Sequence, residues 1–187
     1  MPIGQAKFGL LGGAVDLASL ELIETQTVSS GTTADFLDLG SYNVHFLTYN
    51  NLNSSSTTEL FIRVSNDGGS TFESTNYQYA IQFMNSDPVF TESRSTSGNT
   101  FRLGNRVGNN RAGNGYAYLY NLLDSSKYSF CTSQSASLDT DPAASGRFQF
   151  SSSVYTVAET IDAIRCFIGL GAFNKTGTIS LYGIAES

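Results

Sequence analysis

Apolar and polar side chains alternate with a period of two along most of this chain, the spacing of strands that bury a single face. Tyr42, Val44, Phe46 and Thr48 share one side of such a segment, with His45 and Leu47 on the other. Leu60, Ile62 and Val64 alternate with Phe61 and Arg63, and Tyr77, Tyr79, Ile81 and Phe83 alternate with Gln78, Ala80 and Gln82. The theme returns at 116–121, 128–132, 147–151, 162–168 and 178–184. With 20–27 and 34–39 it predicts roughly ten short strands. The helical candidates are a stretch at 12–20 and a turn at 157–161, neither with a sustained helical period. Parallel strands would need crossover helices, and no unit repeats at periods of about 20–50 residues, so α/β, propeller and solenoid architectures are excluded. The expectation is an all-β fold, an antiparallel two-sheet sandwich or jelly roll, because one sheet of that size would leave a face wet and two long edges open.

The chain has 187 residues, which fits one domain. An N-terminal arm over 1–19 is expected to precede a sandwich domain over 20–187. Ile3, Phe8, Leu10 and Leu11, set among glycines, make the arm too apolar for a solvated tail and too glycine-rich for a helix. The arm is expected to lie on its own domain or on a neighbouring subunit, with these four residues as the candidate interface contacts. Residues 87–115 read as a long loop rich in Gly, Asn and Arg. It carries Arg94, Arg102, Arg106 and Arg111, four of the ten Lys and Arg residues, as candidate contacts to an anionic partner patch or a glycan.

Charge narrows the function classes. A formal net charge of −6 leaves no basic footprint for nucleic acid or an anionic membrane surface. No run approaches the roughly 18–20 apolar residues of a membrane span, and a basic start followed by a long apolar run, the mark of a secretory signal, is not expected here. Charged residues are only 14% of the chain, so its solubility rests on Ser, Thr and Asn. Cys131 and Cys166 sit in no C-x-x-C or His-containing ligand spacing and read as small buried hydrophobes. His45 is the single histidine, and no G-x-S-x-G elbow accompanies it, so neither a Ser-His-Asp triad nor a catalytic zinc site is expected. Asn66-Asp67 and Asp139-Thr140-Asp141 are the best calcium candidates but lack the spaced carboxylates of an EF-hand. The chain is not expected to be an enzyme or to carry a cofactor.

Two motifs carry more. Ser65-Asn66-Asp67-Gly68-Gly69-Ser70-Thr71-Phe72 resembles the Asp-box of sialidases and related propellers. It occurs once, and its physical content is a hairpin turn capped by Asp67 and closed by two glycines. Tyr116, Tyr118 and Tyr120 fall on one face of a strand, where tyrosines either stack on sugars or build a core or subunit interface.

Three segments, Ile3-Gly4-Gln5-Ala6-Lys7-Phe8-Gly9-Leu10-Leu11-Gly12-Gly13, Gly115-Tyr116-Ala117-Tyr118-Leu119-Tyr120-Asn121-Leu122 with Ser125-Ser126-Lys127-Tyr128, and Gly177-Thr178-Ile179-Ser180-Leu181-Tyr182-Gly183-Ile184, carry a further resemblance. With them the chain resembles small virion proteins of tailed bacteriophages, notably aquatic ones. The resemblance implies a jelly-roll surface protein located in the virion, used as capsid decoration or cement. It implies as partners the chain itself, as a homo-oligomer and most plausibly a trimer, and the major capsid or tail proteins. A tail-fibre or receptor-binding module is the alternative, and a carbohydrate-binding module contacting a host-surface glycan a further one. No catalytic or ligand residues come with the resemblance.

Overall fold

A computed structural model describes residues 19–86, 90–108, 112–138 and 146–185. Among them are twelve strands: β1 (Leu20–Val28), β2 (Thr33–Phe36), β3 (Val44–Leu52), β4 (Thr58–Ser65), β5 (Tyr77–Asn85), β6 (Phe90–Gly98), β7 (Phe101–Val107), β8 (Gly113–Tyr120), β9 (Ser129–Leu138), β10 (Gly146–Tyr155), β11 (Ala163–Ile168) and β12 (Gly177–Ile184). Eight form one sheet in the order β1-β12-β3-β8-β9-β10-β5-β6, and four form a second in the order β2-β11-β4-β7. The pairings are antiparallel, and the sheets pack face to face as a sandwich. The expected all-β, two-sheet class therefore holds.

The alternation explains the packing. β3 buries His45, Leu47 and Tyr49 and turns Val44, Phe46 and Thr48 outward, while β4 buries Leu60, Ile62 and Val64 against them. Phe36, Leu119, Ile164, Ile179 and Leu181 complete this apolar half of the interior. Burying one such side chain contributes about 1.5–3 kcal/mol. The other half of the interior is polar. β9 buries Ser129, Ser133, Ser135 and Ser137, and β10 buries Arg147, Gln149, Ser151 and Ser153, while apolar residues such as Phe130, Leu138, Phe148 and Phe150 face outward. Small serines let β7 come close. The Ser133 hydroxyl donates to the Leu103 carbonyl at 3.1 Å, and the Arg102 amide donates to Ser153 Oγ at 3.4 Å. Gly104 takes a φ of 83° there, and a Cβ on it would collide with the Gln149 side chain.

Residues 87–115 are not one long loop. They hold β6, β7 and the start of β8. β6 is an edge strand of alternating Glu92, Arg94 and Thr96 with Ser93 and Ser95, and an edge tolerates a polar sequence that a central strand would not. In β7, Phe101, Leu103 and Val107 are buried, but register shifts against β4 break the sequence period. No helix occurs among the described residues: 157–161 is an irregular bend, and Leu20 begins β1. The arm residues Ile3, Phe8, Leu10 and Leu11 lie outside the described residues, as does most of the 12–20 segment.

Candidate functional site

The exposed face of the eight-stranded sheet is laid out by register. Tyr118 on β8 stands opposite Thr132 on β9, Thr132 opposite Ser152 on β10, Ser152 opposite Ala80 on β5, and Ala80 opposite Arg94 on β6. Three small side chains thus form a floor across three adjacent strands between a tyrosine wall and the charged edge. Four strand spacings of about 4.8 Å separate the two walls, roughly 19 Å. The next row on one side runs Tyr116, Gln134, Phe150, Gln82 and Glu92. On the other side Tyr120 pairs with Phe130, and Phe130 with Val154. Phe150 and Phe130 therefore stand at the two ends of the floor. The depression beside the tyrosines has a volume of about 650 Å³, and a second of about 720 Å³ adjoins it through Ala80 and Ser152.

The structure brings the three candidate tyrosines together. The rings of Tyr118 and Tyr120 are stacked 6.3 Å apart, and those of Tyr116 and Tyr118 meet edge to face at 6.0 Å. Phe46, on the neighbouring β3, lies 4.9 Å from Tyr118 and 5.8 Å from Tyr116, with Tyr182 of β12 at 6.3 Å on its far side. This packing limits the rotamers open to the tyrosines. All three remain half-buried, with one side of the row open to the groove. The Tyr120 hydroxyl lies 3.4 Å from Thr132 Oγ1 on the floor. Phe46, Tyr182, Phe150 and Phe130 were not identified as part of a site by sequence reasoning. Alternation puts Phe46 on the outward side of its strand, but its neighbour Tyr118 is 72 positions away and is reached only through the β3–β8 register.

The four candidate arginines are not gathered into one patch. Arg94 is 82% exposed on the groove edge, 3.7 Å from Glu92. Arg102, on β7 at the edge of the four-stranded sheet, bridges the two sheets: it is ion-paired with Glu59 of β4, donates to the Tyr79 hydroxyl of β5 at 3.1 Å and lies over the Tyr79 and Phe61 rings. It is a packing residue, not a free loop contact. Arg106 lies in β7, and Arg111 is outside the described residues. On the four-stranded sheet Arg165 grips Asp35 through two hydrogen bonds of 2.6 and 2.7 Å and covers the Phe72 ring, while Arg63 lies over Phe167.

The remaining candidates have structural settings. His45 is fully buried, and its Nε2–H donates to the Leu39 carbonyl at 2.7 Å. Burial holds its pKa below the usual 6.5, partly offset by that hydrogen bond. Cys131 and Cys166 are buried free thiols, and burial pushes Cys131 up to about 12. The Asp-box segment is a capped turn between β4 and β5: Asp67 accepts from the Thr71 amide, the Thr71 hydroxyl and the Ser65 hydroxyl at 2.7–2.9 Å. Those bonds, the Thr71 amide first, hold the Asp67 carboxyl below its ordinary range. Among the described residues no three His, Cys, Asp or Glu side chains cluster to hold a metal, and Asp139-Thr140-Asp141 lies outside them. In the groove itself the described chemistry is stacking faces, hydroxyls, amides and one Glu–Arg pair. No family model, curated protein or solved structure matches the chain.

Proposed function

We propose that this chain is a non-enzymatic structural protein of a bacteriophage particle surface, acting as capsid decoration or cement in a homotrimer. The observation that carries the reading is an apolar row at one end of the large sheet. Ala136, Phe148, Met84 and Phe90 are successive cross-strand neighbours on its outer face, and the row runs out to β6, whose far edge has no partner strand among the described residues. Phe90 is 62% exposed and Phe148 44%, with Leu138 exposed nearby. Contiguous apolar surface reaching an unpaired strand edge is costly to leave in water and is relieved by a neighbouring copy or capsid protein. Many symmetric copies then multiply a modest contact into tight attachment. Two of the three segments that carry the phage resemblance, β8 and β12, flank β3 in the middle of this same sheet.

Quantitative mass spectrometry of purified virions encoding the chain, normalised to the major capsid protein, tests the reading. Hundreds of copies per particle are expected. A handful would move the chain to a tail appendage, and none would overturn a virion role. A Phe148→Glu chain is expected to lose self-association in sedimentation while keeping its melting temperature.

A further inference from the structure

We propose that the groove between the tyrosines of β8 and the β6 edge binds a short, uncharged oligosaccharide. The inference goes beyond the particle-surface reading and stands without it, since the groove and the apolar row are built from different rows of the sheet.

Three features of the groove point to this ligand. Its shape comes first: Thr132, Ser152 and Ala80 form a floor of small side chains on rigid central strands, flanked by tall ones, so the trough exists before anything enters it. The exposed rings of Phe150 and Phe130 at its two ends suit it to a short chain. Surface chemistry comes second. A sugar ring offers a face of C–H groups and an edge of hydroxyls, and the groove pairs aromatic faces from Tyr116, Tyr118 and Tyr120 with floor hydroxyls from Thr132 and Ser152 and exposed amides at Gln134 and Gln82. Each amide and hydroxyl both donates and accepts, which matches a sugar hydroxyl and fits poorly to a purely apolar ligand.

Charge is the third feature and decides among ligands. The chain is acidic overall, and the charged residues of the groove, Glu92 and Arg94, face each other 3.7 Å apart on the same edge. A phosphate or a polyanionic polysaccharide would find no cluster of cations here, and a cationic peptide would find no cluster of carboxylates. A neutral, hydroxyl-rich chain asks for neither. Phe46 is a positioning residue in this scheme, because it fixes Tyr118 and Tyr116 from the side away from the groove.

The test uses the whole chain with cellohexaose, mannohexaose, galactohexaose and chitohexaose as probes, and heparin as the charged comparator. With no tryptophan to mask it, tyrosine fluorescence gives the binding curve, and NMR shift mapping assigns the change to Tyr116, Tyr118 and Tyr120 among the ten tyrosines. Saturable binding of at least one neutral hexasaccharide is expected, weakened about tenfold or more in Tyr118→Ala. Ser152→Leu is expected to do the same by filling the floor from an exposed position, with an unchanged melting temperature. Phe148→Ala, in the apolar row, is expected to leave affinity unchanged. No saturable binding by any of the four sugars overturns the proposal, as does equal binding by wild type and both groove variants. Tighter binding of heparin also overturns it, and so does a Tyr118→Ala chain that changes sedimentation rather than sugar affinity, which would assign the face to a second copy. Virion copy number bears on none of these outcomes, so this proposal and the particle-surface reading can fail separately.

Discussion

The two outer faces of the sandwich use the same kinds of side chain to opposite ends. On the four-stranded sheet arginines and aromatics are matched to partners: Arg165 to Asp35 and Phe72, Arg102 to Glu59 and Phe61, and Arg63 to Phe167 and the Asn99 carbonyl. On the eight-stranded sheet the aromatics of β3 and β8 stack on one another, and the rest of the face is left to small polar side chains and exposed phenylalanines. The first face is occupied by its own contacts. The second has stacking surfaces and hydrogen-bonding groups left over, which is why both the proposed assembly surface and the proposed binding groove fall there. An aromatic-rich sheet face is thus not a site by composition; what matters is whether its rings and charges are already engaged.

The sharpest way to break this contrast is to remove a partner from the closed face. Arg165→Ala should lower stability by about 2 kcal/mol, because it strands Asp35 and uncovers the Phe72 ring, and chemical denaturation should read this with sugar binding intact. A loss of affinity with no loss of stability would merge the two faces into one functional surface. Acid titration is a second, whole-molecule probe. The His45 pKa is lowered on folding, so its contribution to stability is complete above about pH 6.5 and is lost as pH falls from there through the folded value. Melting temperature should drop over that window in wild type, and the drop should flatten in His45→Asn. Tyr118→Ala on the open face should cost only about 1 kcal/mol of stability, from its contacts with Phe46 and Tyr120, while abolishing most sugar affinity. Smallest of all, Phe148→Glu should change stability by less than about 0.5 kcal/mol, since an exposed position has little to lose.

Much of the fold was legible because alternation is local. Each of the ten expected strands overlaps a strand of the structure, and the Asp-box turn and the burial of both cysteines follow from residue type. β6 and β7 were hidden in the supposed 87–115 loop for two separate reasons, the polar sequence an edge permits and the irregular register around Gly104. β9 and β10 were read too short because their inward faces are serine, so the usual apolar signal appears on the outside. Two of these serines are satisfied by β7, Ser153 by the Arg102 amide and Ser133 by the Leu103 carbonyl, a contact that spans 30 residues. Of the candidate site, the tyrosine row was visible as three residues two apart. Arg102 looked like its companions in composition, yet Glu59, 43 residues earlier, makes it structural.

The sequence by itself determined that this chain is all-β, that Tyr116, Tyr118 and Tyr120 share a face, and that its charge disfavours nucleic acid, because periodicity and charge are properties of neighbouring residues and of sums. Only the tertiary structure decided that Thr132, Ser152 and Ala80 line up into a floor, that Phe46 backs the tyrosines, and which arginines are engaged. The physical reason is register. Alternation says which side of its strand a residue occupies, but strand order and cross-strand pairing come from packing the whole sheet, and those pairings turn scattered small residues into a groove.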